Sequence, residues 1–298
     1  EAFNRGEIVR THVLRPTWHF VTPEDIRWML ELTGPRVNLK CGSAYRAYEL
    51  DAAVLKRTNS VITKALKGGK HLTRAELKAI LNRAGIAADD TVRMGHILIR
   101  AEQDGVICSG PLKGKHFTYA LLEERVPPGR KLSRDEALAE LTRRYFASHG
   151  PASLADFVWW SGLTANDARE GIALLDRQLE KTSIGNTDYW NADGPPASKR
   201  DAKAHLLPAY DEYTVAYKNR EIVFHPDAAS QLSTWGVLGP VVVLDGKIIG
   251  AWKSIPDKKS VTITLNSPKA LTRPEKQAIA RTAETYAAFL GLTLKPFA

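Results

Sequence analysis

Cysteine is nearly absent: the 298 residues contain two, Cys41 and Cys108. Two thiols so placed make neither a metal-binding spacing nor a disulfide framework, and the expectation is a cytoplasmic protein with small, buried thiols. Long apolar runs are missing too. None approaches the ~18 residues of a membrane span, so no membrane partner is expected. No Gly-rich phosphate loop, no HExxH and no GxSxG occurs. Neither a nucleotide cofactor nor a bound metal is therefore expected, and any chemistry falls to side chains. The opening EAFNRGEIVRTHVL lacks Met, a basic-then-apolar leader and a small-residue cleavage site. It reads as the interior of a longer chain, with upstream residues missing.

Negative charge is also in short supply. The chain has 42 Lys/Arg and 33 Asp/Glu, a net charge of +9. The excess is uneven. Residues 1–132 hold 22 basic and 14 acidic side chains, residues 133–200 hold 8 and 10, and residues 201–298 hold 12 and 9. A basic face attracts polyanions through its field and through counterion release. The alternative is a soluble basic protein with scattered lysines.

The hydrophobic share, 44%, and the charged share, 25%, are those of a globular chain. Alternation over 7–21 predicts a hairpin bending near Arg15-Pro16. Thr22-Pro23-Glu24 predicts a helix start, with the helix stopping near Gly34-Pro35. A second helical stretch covers roughly 36–67, broken near Gly42. HLTRAELKAILNRAG carries a capping box at Thr73 and Glu76 and a stop at Gly85. TVRMGHILIRAEQDG is a further helix, and VICSGPLKGKHFTYALL makes two short strands around a Lys-Gly-Lys loop. Helix, link, helix, hairpin is the order of a winged helix-turn-helix. The order recurs in helices opening at Ser133, Ser153 and Thr164, followed by a hairpin near Gly185-Asn186. After PPGRK (127–131) and DGPPASKRDAK (193–203), which read as linkers, the remainder changes character. VVVLDGKIIGAWKSI is strand, Asp-Gly turn, strand, SVTITLN is another strand, and a helix closes at Gly291.

The predicted fold class is mainly α with β wings (α+β): tandem winged helix-turn-helix units followed by a small C-terminal α+β domain. The expected domains are 1–69 (the remainder of a first winged-helix unit, its wing at 7–21, plus connecting helices), 70–132, 133–192 and 193–298.

Several residues are candidates for a site. Arg93, His96 and Arg100 recur at steps of three and four on one side of their helix, a spacing that suits phosphates or base edges as well as a plain solvated face. Lys113 and Lys115 flank Gly114 in the wing loop, where backbone and lysines can both approach a phosphate. The helix around Asp167, Arg169, Glu170, Asp176 and Arg177 has mixed charge and reads as scaffold. In HLLPAYDEYTVAYKNR, Asp211 among tyrosines is either a desolvated acid/base group or a turn cap. In RTHVLRPTWHFV, period two sets Trp18 and Phe20 on a core face and leaves His12, Arg15 or His19 to look outward. Asp211 and His19 are thus auxiliary catalytic candidates.

LRPTWHFVTPEDIRWMLELTGPRV, AEQDGVICSGP, LLPAYDEYTVAYKNRE and VLDGKIIGAWK together resemble the AlkZ/YcaQ-like winged-helix DNA glycosylases, over nearly the whole chain. The resemblance implies three tandem winged-helix units around a concave basic channel for double-stranded DNA. It also implies excision of bulky alkylated or crosslinked purines from DNA; a monomer is expected, because tandem units in one chain can span a duplex alone. The family's catalytic Gln-x-Gln is expected upstream of RTHVL. Glutamine occurs here only at 103, 178, 231 and 277, so no catalytic glutamine transfers to this chain. Three readings stay open: a glycosylase seen without its N-terminal helices, a non-catalytic winged-helix regulator that binds DNA, and a module that no longer touches DNA.

Overall fold

A computed structural model of the chain describes residues 1–192, 204–229 and 238–295. The linker expected at 193–203 lies outside the described residues. The chain forms two compact units, Glu1–Ala192 and Asp193–Ala298.

The first unit opens with α1 (Ala2–Arg5) and a hairpin of β1 (Val9–His12) and β2 (Trp18–Val21), paired Val9 to Val21 and His12 to Trp18. All of β1 is buried. Then α2 runs from Ile26 to Lys40, which differs from the sequence expectation at both ends. The helix starts at Ile26, one turn later than expected, and the Thr22 hydroxyl donates to the Asp25 carboxylate (2.9 Å). It passes through Gly34-Pro35 because packing outweighs local propensity. A Cβ on Gly34 would lie 3.1 Å from Gln103 Oε1, so glycine admits the close neighbour, and Val37 beyond it is fully buried.

Next come α3 (Gly42–Ala47), α4 (Ala52–Leu66), β3 (Leu72–Thr73), α5 (Arg74–Arg83), α6 (Thr91–Gln103), β4 (Ile107–Ser109) and β5 (Thr118–Leu121). The Thr73–Glu76 capping box forms as expected, with Thr73 N–H donating to Glu76 at 2.7 Å. The sheet order is β3-β5-β4, so the strand before α5 pairs with the wing. One apolar core joins Val37 and Tyr45 to Leu55, Ile62, Leu77, Leu81, Met94 and Ile97. This core crosses residue 69, where the sequence suggested a boundary. Each fully buried Leu or Ile contributes roughly 1.5–3 kcal/mol.

After α7 (Leu122–Arg125) the topology repeats in α8 (Arg134–His149), β6 (Ala152–Ser153), α9 (Leu154–Ser161), α10 (Ala165–Leu175), β7 (Glu180–Ile184) and β8 (Thr187–Asn191), with sheet order β6-β8-β7. Ser133, Ser153 and Thr164 each form a capping box. A Cβ on Gly171 would sit 2.2 Å from Thr142 Oγ1, so glycine is what lets α10 lie against α8.

The second unit holds β9 (Ala204–Leu207), α11 (Glu212–Val215), α12 (Pro226–Ala229), β10 (Val241–Leu244), β11 (Lys247–Pro256), β12 (Ser260–Asn266), α13 (Arg273–Phe289) and β13 (Thr293–Leu294). Its sheet order is β13-β12-β11-β10-β9. Asp245 and Gly246 both have positive φ, 48° and 74°, the two-residue turn that Asp-Gly predicts. All of β10, VVVL, is buried. Ile279 and Ala283 of α13 share a core with Val242 and Leu244, while Val223 and Phe224 share one with Val241 and Val243. A continuous apolar run is the pattern of a strand covered on both faces.

Candidate nucleic-acid interface

Arg93, His96 and Arg100 do share one side of α6, but that side is not open. Arg93 Nε donates to the Ala87 carbonyl (2.8 Å), and its guanidinium also reaches the Tyr48 carbonyl. The His96 ring lies 5.9 Å from that of Tyr45 and 6.0 Å from that of Tyr48. Burial, and secondly the His12 ring, hold its pKa below the usual histidine value. Arg100 pairs with Asp104 one turn on, at 2.7 Å. Helical periodicity identified the shared side. It could not show that the end of α3 packs over it.

The wing loop is open. Lys113 and His116 exchange backbone hydrogen bonds (2.9 and 3.1 Å), and Gly114 supplies the positive φ, 63°, with no atom within 4 Å of its missing Cβ. Lys115 is exposed. Lys113 Nζ sits 2.6 Å from Glu76. That contact, with the Thr73 cap, pulls the Glu76 carboxyl down to about 2.

The first hairpin corrects the sequence reading. His12 does not look outward: it is 8% exposed, and its Nδ1 meets the buried Glu102 carboxylate. Its backbone N–H donates to the same carboxylate at 3.2 Å, and Gln103 donates to its carbonyl. These contacts tie β1 to the end of α6. Trp18 and Phe20, expected in the core, are 49% and 61% exposed. The reason is that the hairpin is a two-stranded sheet whose inner strand alone reaches the core. Arg15 and His19 are half-buried. Arg15 packs near Gly162, whose added Cβ would meet the Leu14 carbonyl at 2.3 Å. In the second unit, Asp211 caps α11 by accepting from Tyr213 N (2.9 Å), the turn-cap alternative. Both cysteines are buried, and burial pushes the Cys108 thiol up to about 12.

The structure also assembles a cleft that no single segment announces. It measures about 590 Å³ and lies where the hairpin, the start of α5 and the wing meet. The Arg10 guanidinium is held between two rings, 4.1 Å from Trp18 and 3.7 Å from Phe117. Arg74, Lys78 and His116 line the rest with Tyr119, whose hydroxyl burial pushes up to about 12. The residues that meet here come from three segments, around 10–18, 73–78 and 116–119, each pair separated by tens of positions, so sequence spacing carried no signal of it. The larger cavity of the second unit, about 970 Å³, is mostly apolar, with Trp252, Tyr286 and Phe289 among its walls. Among the described residues, no helix is long and apolar enough to cross a membrane.

A family described as DNA glycosylase AlkZ-like matches residues 1–289. An interstrand DNA cross-link repair glycosylase of Streptomyces sahachiroi is 24% identical over 276 residues, which span 86% of this chain and 72% of that protein. The solved structure of the Streptomyces sahachiroi DNA glycosylase AlkZ aligns with a TM-score of 0.76 at 20% identity, over 98% of this chain and 82% of that one. At that identity the structural likeness speaks for the fold.

Proposed function

The chain belongs to the AlkZ-like DNA glycosylase family, and on that premise we propose that it binds double-stranded DNA through its winged-helix units. In this reading 52–122 and 134–191 are two such units, and the hairpin at 7–21 is the wing of another. The work it serves is the release of bulky alkylated or crosslinked purines. The protein acts as a monomer in the cytoplasm, with no metal or nucleotide cofactor.

The family match along nearly the whole chain carries the proposal, and the charge of the second winged helix supports it. Residues 52–122 hold 12 Lys/Arg and 5 Asp/Glu, and their wing tip Lys113-Gly114-Lys115 is open. An N-alkylated purine is a cationic leaving group, so catalysis requires an oriented water and stabilisation of an oxocarbenium-like sugar. A crosslinked base cannot be swung out of the helix, so an open surface suits it better than a closed pocket.

The Gln-x-Gln signature is not among the four glutamines of this chain, and the Gln103 amide is engaged with the His12 carbonyl. A second reading follows from that: a winged-helix DNA-binding protein without glycosylase chemistry. Base release from duplex carrying N7-alkylguanine separates the two, assayed with this chain and with the complete gene product. Release by the complete product alone makes this chain the DNA-holding part. Salt-sensitive duplex binding with no release by either favours the second reading. Binding indifferent to salt sinks both, because phosphate contacts release counterions.

A further inference from the structure

We propose that the cleft beside the first hairpin seats one backbone phosphate of a DNA strand, with the Arg10 guanidinium as its main donor. The inference rests on the DNA-binding reading and deepens it by naming a contact outside the wing loop.

The argument starts from a cost. Arg10 is only 7% exposed, yet among the described residues its Nε meets no hydrogen-bond acceptor. Burial works against its charged form. The opposing influences are Tyr119 first and Glu102 second, and Glu102 is already engaged by His12. A buried cation without a hydrogen-bonded anion is strongly unfavourable, and a bound anion removes that penalty. Geometry sets where the anion must lie. The guanidinium's five N–H donors lie in its plane. Trp18 and Phe117 lie within 4.1 and 3.7 Å of its centre, and neither ring offers an in-plane acceptor, so the acceptor those donors need must come from the cleft.

The surroundings have the matching sign. Arg74, Lys78 and His116 line the cleft, and no Asp or Glu does. It also receives the N-terminal end of α5, a ten-residue helix whose dipole favours an anion there. Glu76, in the first turn of α5, is already held by Lys113 and by its own cap. A phosphate within a DNA strand fits better than a lone ion. Trp18 and Phe117 remain 49% and 43% exposed, which offers the sugar or base beside that phosphate an aromatic surface.

The test is fluorescence anisotropy with a short labelled duplex from about 50 to about 200 mM salt. Arg10→Met keeps an apolar stem between the rings and removes the charge. The expected result is about tenfold weaker binding at low salt and a log–log salt slope shallower by about 0.9, one phosphate contact. Wild-type affinity and slope in Arg10→Met, with binding still lost in a Lys113→Ala/Lys115→Ala protein, would overturn the seat and leave the DNA-binding reading intact. No duplex binding by the unaltered chain would overturn that reading and the seat with it. Should Arg10→Met fail to melt cooperatively, the half-buried rim residue Lys78, whose ammonium lies 3.2 Å from Asp89, decides the matter as Lys78→Ala. A slope shallower by about 0.9 supports the seat, and an unchanged slope overturns it. Addition of inorganic phosphate at matched ionic strength separates the two anion sources. Protection against thermal unfolding equal to that by duplex would assign the seat to free phosphate and overturn the DNA assignment.

Discussion

The two winged helices of the first unit share a topology and almost nothing else on their surfaces. Each runs helix, short strand, helix, helix, hairpin, and each sheet places the short strand beside the second wing strand. Residues 52–122 hold 12 Lys/Arg and 5 Asp/Glu, while residues 134–191 hold 6 and 9. In the acidic copy, Arg134 is clasped by Asp167 (2.6 Å) and Glu170 (2.9 Å) of α10, which neutralises the helix that would face a groove. In the basic copy Lys113 pairs with Glu76 (2.6 Å) and Lys115 stands exposed at the wing tip. The caps and apolar spacing that build a winged helix leave its outer charges free to vary, so shared topology does not imply a shared partner.

The copies also differ in how they are held, and substitutions can probe that. The largest effect is expected at Glu102, which ties the basic copy to the first hairpin and has its carboxylate buried against His12. Glu102→Ala should cost about 3–5 kcal/mol in urea unfolding, as expected when one partner of a buried pair is removed. A loss below about 1 kcal/mol would mean that the hairpin docks by other contacts.

The helices α6 and α10 each carry an interior glycine, and these should respond in opposite directions. Gly171→Ala forces a methyl onto Thr142 Oγ1 and should destabilise by about 1–3 kcal/mol. Restored stability in Gly171→Ala/Thr142→Ala would locate the strain in that one contact.

Charge gives the next contrast. Lys113→Ala with Lys115→Ala should weaken duplex binding alike for all sequences and flatten the salt slope by about 0.9 per lysine in contact. Lys181→Ala in the wing of the acidic copy should leave the slope unchanged. Equal losses from both wings would erase the distinction between the copies.

The smallest effect is expected at Gly95. Its added Cβ would meet only Arg74 Nη2, at 3.7 Å, an ordinary contact. Gly95→Ala should therefore stabilise by about 0.4–1 kcal/mol in thermal or urea unfolding, by restricting the unfolded chain. Destabilisation there would show that α6 is as tightly packed as α10.

The order of elements was legible because it is written locally. Caps at Thr73, Ser133, Ser153 and Thr164 and the Asp245-Gly246 turn each act within four residues, and the structure forms all of them. The candidate site was less legible. The spacing of Arg93, His96 and Arg100 correctly put them on one side of α6. It carried no information about Tyr45 and Tyr48, which α3 brings over that side. The same limit applies to Trp18 and Phe20: alternation tells which residues share a face, and only the packing partner decides whether that face is inside.

By itself, the sequence determined the winged-helix order, the sheet-based second unit and the concentration of positive charge in the first 132 residues. Those properties depend on composition and on interactions between near neighbours. Tertiary structure decided that α2 passes through Gly34-Pro35, that His12 turns inward to Glu102 across 90 positions, and that Arg10 is held between Trp18 and Phe117. Each of these outcomes needs a surface from a distant segment. Close packing and the desolvation of buried charge overrule local preference wherever such a surface arrives.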